Sequence, residues 1–133
     1  MFNIYTRHLT RAQSDAVNAF GWEVAKAYAD LAFPKEEKAD QLVIAGAVAG
    51  CYLHGWTVHT DSVEQAFNLG NQSPPNGDDI RHKGAHSASV GDVFINSSHE
   101  GWLCMPMGWA KLSHETVMHF ECMVAQHIQL QPA

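Results

Sequence analysis

Apolar and polar positions alternate over Phe2-Asn-Ile-Tyr-Thr6, which predicts a first strand. Thr10 then stands where an N-cap belongs, with Gln13 at the capping-box position, for a helix over residues 11–20. Gly21 interrupts it. Residues 22–33 continue as helix, with Val24, Tyr28 and Leu31 on an apolar stripe, until Pro34 stops it. Residues 35–50 read as the next helix, charged at the start and small and apolar afterwards. Gly46 and Gly50 there permit close backbone packing, and periodicity leaves a buried strand open for part of the run. Residues 51–59 alternate in part and predict a strand. Thr60 or Asp61 is expected to cap a short helix over 62–69, with Glu64 as the capping carboxylate and Gly70 at its end.

Residues 72–89 lack a period, and Ser73-Pro-Pro-Asn-Gly-Asp-Asp79 is a turn cluster. Unstructured stretches of that length in small domains are usually functional or mobile. Short strands are predicted over 90–96, 101–105 and 109–112, the first two joined by a hairpin at Asn96-Ser-Ser-His-Glu-Gly101. Ser113 caps a last helix reaching about Ile128, with Val117, Phe120, Val124 and Ile128 on one face, and 129–133 are expected to fray. The chain has no internal repeat and no linker. The pattern predicts one α+β domain, with a small mixed or antiparallel sheet and helices packed on one face.

Composition narrows this picture. With 46% hydrophobic and 17% charged residues over 133 positions, the chain can build one core. A formal charge of −6 argues against a generic electrostatic nucleic-acid binder and for a small molecule, a neutral surface or a basic protein patch as partner. Cys51, Cys104 and Cys122 are odd in number and widely spaced, which reads as free thiols in a reducing compartment. The N-terminal residues lack a signal-peptide pattern, and the apolar run 42–53 is about half of what a membrane span needs. A cytoplasmic protein without membrane contact is expected.

The candidate chemistry sits in the last half of the chain. In Val90-Gly-Asp-Val-Phe94, Gly91 at positive φ and a turn-bonding Asp92 would start a strand; alternatively Ser87, Ser89 and the turn amides form a small anion nest. Nine histidines include His82 and His86, with His99 and Cys104 further on, but no paired metal motif accompanies them, and no metal or cofactor is expected. Cys104 with His86 or His99 is conceivable as a nucleophile–base pair, against its ordinary role as a small buried hydrophobe. Arg81 and Lys83, with Trp102 and Trp109, would suit a phosphate or a base, since cations position phosphates and rings stack bases.

Several of these residues carry a resemblance. Thr60-Asp-Ser-Val-Glu-Gln-Ala-Phe67, Leu69 and Asn71 are followed by Ser87-Ala-Ser-Val-Gly-Asp-Val93, Gly101-Trp102 and Gly108-Trp109-Ala-Lys-Leu112. In that order they resemble a module of small accessory proteins of phages and mobile elements, over about residues 56–112. Tyr5 to Ser14 also looks like the opening of short phage-encoded proteins. Where that family often has a Trp and an Arg in its long loop, this chain has Pro-Pro-Asn-Gly and Arg81-His-Lys83. The resemblance implies a single α+β domain of phage or mobile-element origin acting in a host cytoplasm, and it carries over no reaction; a host or phage protein is the expected partner. The Val-Gly-Asp-Val turn and the hairpin after it are also similar to PUA-like and ASCH-like barrels, which would imply an RNA or nucleotide ligand. The leading expectation is a non-enzymatic accessory protein binding a host or phage macromolecule, with inhibition of a host function as one form of that action. Its expected contact residues are Arg81, Lys83, His86, Ser87, Ser89, Trp102 and Trp109. The other readings are a nucleic-acid binder and a small Cys- or metal-dependent enzyme.

Overall fold

A computed structural model describes residues 1–130. In chain order the elements are β1 (Phe2–Arg7), α1 (Arg11–Phe20), α2 (Lys26–Asp30), α3 (Ala39–Val48), β2 (Tyr52–Val58), α4 (Val63–Leu69), β3 (Ile80–Arg81), β4 (Val93–Asn96), β5 (Gly101–Cys104), β6 (Trp109–Lys111) and α5 (His114–Leu130), with 3-10 turns at Trp22–Ala25 and Glu36–Lys38. The six strands form one sheet in the order β3-β2-β1-β4-β5-β6, and every pairing is antiparallel. The α+β class therefore stands, and of the two sheet types the antiparallel one is realised.

Alternation along β4 sorts the core. Val93 and Ile95 point to one side, where they meet Val43 and Ala47 of α3 and Val117, Phe120 and Val124 of α5. Phe94 points to the other, where it joins Phe2, Ile4, Trp56 and Val58 under Ala66 of α4 and Ala85 and Ala88 of the long loop. The longer helices thus cover one face, and α4 with the loop closes the opposite one. Fully buried rings such as Trp56, Phe94 and Phe120 each contribute roughly 1.5–3 kcal/mol over exposure. At Gly46 a Cβ would lie 2.8 Å from the Tyr52 ring, so α3 seats on β2 only without a side chain there.

The start of α1 carries the expected reciprocal cap: Thr10 Oγ1 accepts from the Gln13 amide at 3.1 Å, and Gln13 Oε1 from the Thr10 amide at 2.8 Å. α4 differs. Its N-cap is Ser62, whose Oγ accepts from the Gln65 amide at 3.2 Å, while Thr60 caps nothing helical and turns back on Ser62. The expected single helix over 22–33 is broken into a 3-10 turn and a five-residue helix; only Leu31 of the predicted stripe is buried, and Val24 is exposed. The loop 72–89 is partly ordered, because β3 pairs with the end of β2 through Trp56 opposite Arg81. The strand expected from Val90 begins at Val93, since residues 90–92 form a turn. Of the tail expected to fray, Gln129 and Leu130 belong to α5, and 131–133 lie outside the described residues.

Candidate functional site

The Ser-x-Ser-Val-Gly-Asp-Val stretch is a latch. Gly91 sits at φ +88°, and a Cβ there would come within 2.5 Å of the Leu31 carbonyl oxygen and of Arg7 Nε. Asp92 is fully buried; Oδ1 accepts the Arg7 amide and Oδ2 the Ser89 amide, both at 2.8 Å. Burial pushes its carboxyl up to about 6, against those two hydrogen bonds and the nearby His86 and Arg7. The Gly91 amide donates to the Cys104 carbonyl, the Asp92 amide to the Ser89 carbonyl, and Tyr52 Oη to the Gly91 carbonyl at 2.7 Å. The amides of the expected anion nest are thus occupied by the protein's own acceptors, and the turn reading of this motif is the one the geometry carries.

The seven expected contact residues are not gathered. Arg81 lies on β3, and its guanidinium donates to the Ala85 carbonyl at 2.7 and 3.1 Å while resting over the Trp56 ring. Lys83, His86 and Ser87 are exposed on the following loop, where the His86 ring is held between the Arg7 and Ser87 carbonyl oxygens and Ser89 is tied to Asp92. Trp102 and Trp109 belong to β5 and β6, at the far side of the sheet. Five strand spacings separate β3 from β6, roughly 24 Å. Both indoles are half-buried: Trp102 packs on Phe2 with Lys111 Nζ 4.2 Å above it, and Trp109 stands edge-on to Phe94 at 4.8 Å. One phosphate or base therefore does not touch both Arg81 and Trp109.

The expected nucleophile is equally remote from chemistry. Cys104 is buried, and desolvation with the adjacent Asp92 pushes its thiol up to about 12. A protonated, buried thiol is not a nucleophile at neutral pH. His99 pairs with Glu121 at 2.9 Å, away from His86 and Cys104. Among the described residues no three His, Cys, Asp or Glu side chains converge on a metal position.

Two other features are better built. The first is the segment 11–33. Helix α1 has no buried residue, and it is tied to the body by Gln13 Nε2 donating to the Ala49 carbonyl at 3.2 Å. Phe20 is 78%, Trp22 54%, Val24 51% and Phe33 86% exposed. Trp22 stacks on Tyr28 at 5.9 Å, which fixes its ring in place, and Arg7 lies over the same Tyr28. Beside it a shallow pocket of about 190 Å³ is floored by Phe33 and Leu42 and rimmed by Lys26, Asp30, Lys35 and Lys38. The sequence signal for this surface was the Phe20-Gly-Trp22 pair, where Gly21 interrupts the helical pattern; of the surface's residues only Val24 stood on the expected apolar stripe.

The second feature is a polar cluster on the helix-covered face near the β3 edge. Asn3 Oδ1 lies 3.0 Å from His54 Nε2 and accepts from Thr57 Oγ1 at 3.2 Å; Thr57 Oγ1 lies 3.3 Å from His54 Nε2 and 3.1 Å from His82 Nε2. All four side chains are half-buried, and the two imidazole rings stand 4.2 Å apart. Burial first, and His82 second, lower the His54 pKa.

The chain matches no protein-family model, no curated protein and no solved structure. Among the described residues no helix is long and apolar enough to cross a membrane.

Proposed function

We propose that this protein is a non-enzymatic binding module that acts on another protein through the segment 11–33. The observation that supports it best is the exposure of Phe20, Trp22, Val24 and Phe33 in a chain whose remaining Trp and Phe rings are buried or half-buried. Large apolar groups left in water forfeit roughly 1.5–3 kcal/mol each, which a partner's surface can return. A stacked Trp and an aromatic beside a pocket suit interface anchors, because little side-chain freedom is lost on docking. The rim of Lys26, Lys35 and Lys38 selects the partner's chemistry: an apolar side chain flanked by carboxylates. The likeness to phage accessory proteins fits a host or phage protein in that role.

The test is capture from nuclease-treated host lysate by wild type and by a Phe20→Ser/Phe33→Ser variant, followed by calorimetry with the purified captured protein. Supporting results are a partner whose affinity falls at least tenfold in the variant and again on charge reversal at Lys35 and Lys38. Equal binding by folded variants, or self-association of the wild type that the same substitutions abolish, would overturn the reading.

A further inference from the structure

We propose that Asn3, His54, Thr57 and His82 form a binding site for one divalent transition-metal ion, with Zn²⁺ as the reference. The site is separate from the surface of segment 11–33.

Geometry carries the argument. Tetrahedral coordination with bonds of about 2.05 Å to imidazole nitrogen and oxygen sets ligand–ligand edges of about 3.3 Å. Four of the six edges of such a tetrahedron are present, at 3.0, 3.1, 3.2 and 3.3 Å, joining two imidazole Nε2 atoms, an amide oxygen and a hydroxyl oxygen. Two imidazoles with neutral oxygens are a donor set for borderline ions such as Zn²⁺, Co²⁺, Ni²⁺ and Cu²⁺, not for Ca²⁺ or Mg²⁺.

The backbone holds the set rigidly. Asn3 lies on β1 opposite Thr57 of β2, and His82 follows β3, whose Arg81 pairs with Trp56. The His82 amide donates to the Gly55 carbonyl at 2.8 Å, fixing where the second ring starts.

Proton accounting is consistent. Without metal, His54 and His82 as Nε2–H tautomers donate to Asn3 Oδ1 and Thr57 Oγ1, and Thr57 donates to Asn3. On binding, each neutral ring moves its proton to Nδ1 through solvent and offers its Nε2 lone pair; no net proton is released.

The experiment is titration of the intact protein with Co²⁺, read by visible absorption, and with Zn²⁺, read by calorimetry. The variants are His54→Gln, His82→Gln, Thr57→Val and, as a control on an exposed histidine, His119→Gln. We expect one ion per chain, intense tetrahedral Co²⁺ bands, at least tenfold weaker binding in both cluster histidine variants and unchanged binding in the control. Should His54→Gln fail to fold, His82→Gln at the sheet edge and Thr57→Val carry the test. No binding by 1 mM Zn²⁺, an octahedral Co²⁺ spectrum, or affinity unaffected in the folded cluster variants would overturn it.

Discussion

Gly21 and Gly91 share a positive φ, +89° and +88°, in opposite surroundings. Around Gly91 a Cβ would strike Leu31 and Arg7 at 2.5 Å; around Gly21 nothing lies within 4 Å. The first closes the latch beneath the body of the fold. The second turns the chain between an unburied helix and an exposed Trp. The stretch that looks most like a motif is therefore architecture, while the stretch with the largest free apolar surface carries no motif. A motif-like stretch can report a demanding local geometry, and exposed apolar rings need no motif.

The sharpest way to break the comparison is to add one methyl at each glycine. Gly91→Ala adds contacts with the Leu31 carbonyl and Arg7 to its positive-φ penalty and should lose more than Gly21→Ala, where the backbone penalty of about 1–3 kcal/mol acts alone. Urea midpoints decide it, and equal losses would mean the latch yields easily.

Next in size is a pH effect. The carboxyl of Asp92 is raised from 3.8 to about 6, so between those values the folded chain holds a proton that the unfolded chain has released. Its stabilisation is fully present below about pH 4 and is lost as pH rises through 6, on the order of 2–3 kcal/mol. Subtracting the Asp92→Asn stability curve from wild type should isolate that fall, which a flat difference would contradict.

Trp109→Ala should cost about 2 kcal/mol, because the indole packs on Phe94 and Phe67, and thermal melting will register it. A loss within 0.5 kcal/mol, about the usual surface value, would return that ring to the list of free contacts. The smallest expected change in stability is Phe20→Ser with Trp22→Ser, within about 1 kcal/mol for the pair, since both side chains are mostly exposed. The same pair should show the largest change in partner affinity.

What could be read from the chain was local. Thr10 and Gln13 stand three apart, and the capping box they form needs nothing else. Alternation in 2–6 and the apolar face of Val117, Phe120 and Val124 likewise depend only on period. The bond from the Arg7 amide to Asp92 spans 85 residues and has no sequence signal. The polar cluster was hidden for a second reason. His54 and Thr57 are an odd number of positions apart, which in a regular strand puts them on opposite faces. The register skips Gly55, because Ile4 faces Trp56 while Tyr5 faces His54, and this bulge brings both onto one face. The expected pairing of Arg81 with Trp102 and Trp109 failed because nearness along the chain says nothing about strand order. Their strands are separated by β2, β1 and β4.

Strand order has a consequence for synthesis. β1 lies at the centre of the sheet, yet it is the first of the six strands to leave the ribosome. Its partner β2 follows some fifty residues later, and Asn96, which faces Phe2, roughly ninety residues later. At 5–20 residues per second, β1 waits about 3–10 s for β2 and about 5–20 s for β4. Until β4 emerges, the nascent chain holds the middle of a sheet with one side unclosed. Any chaperone that attends this protein has its window there.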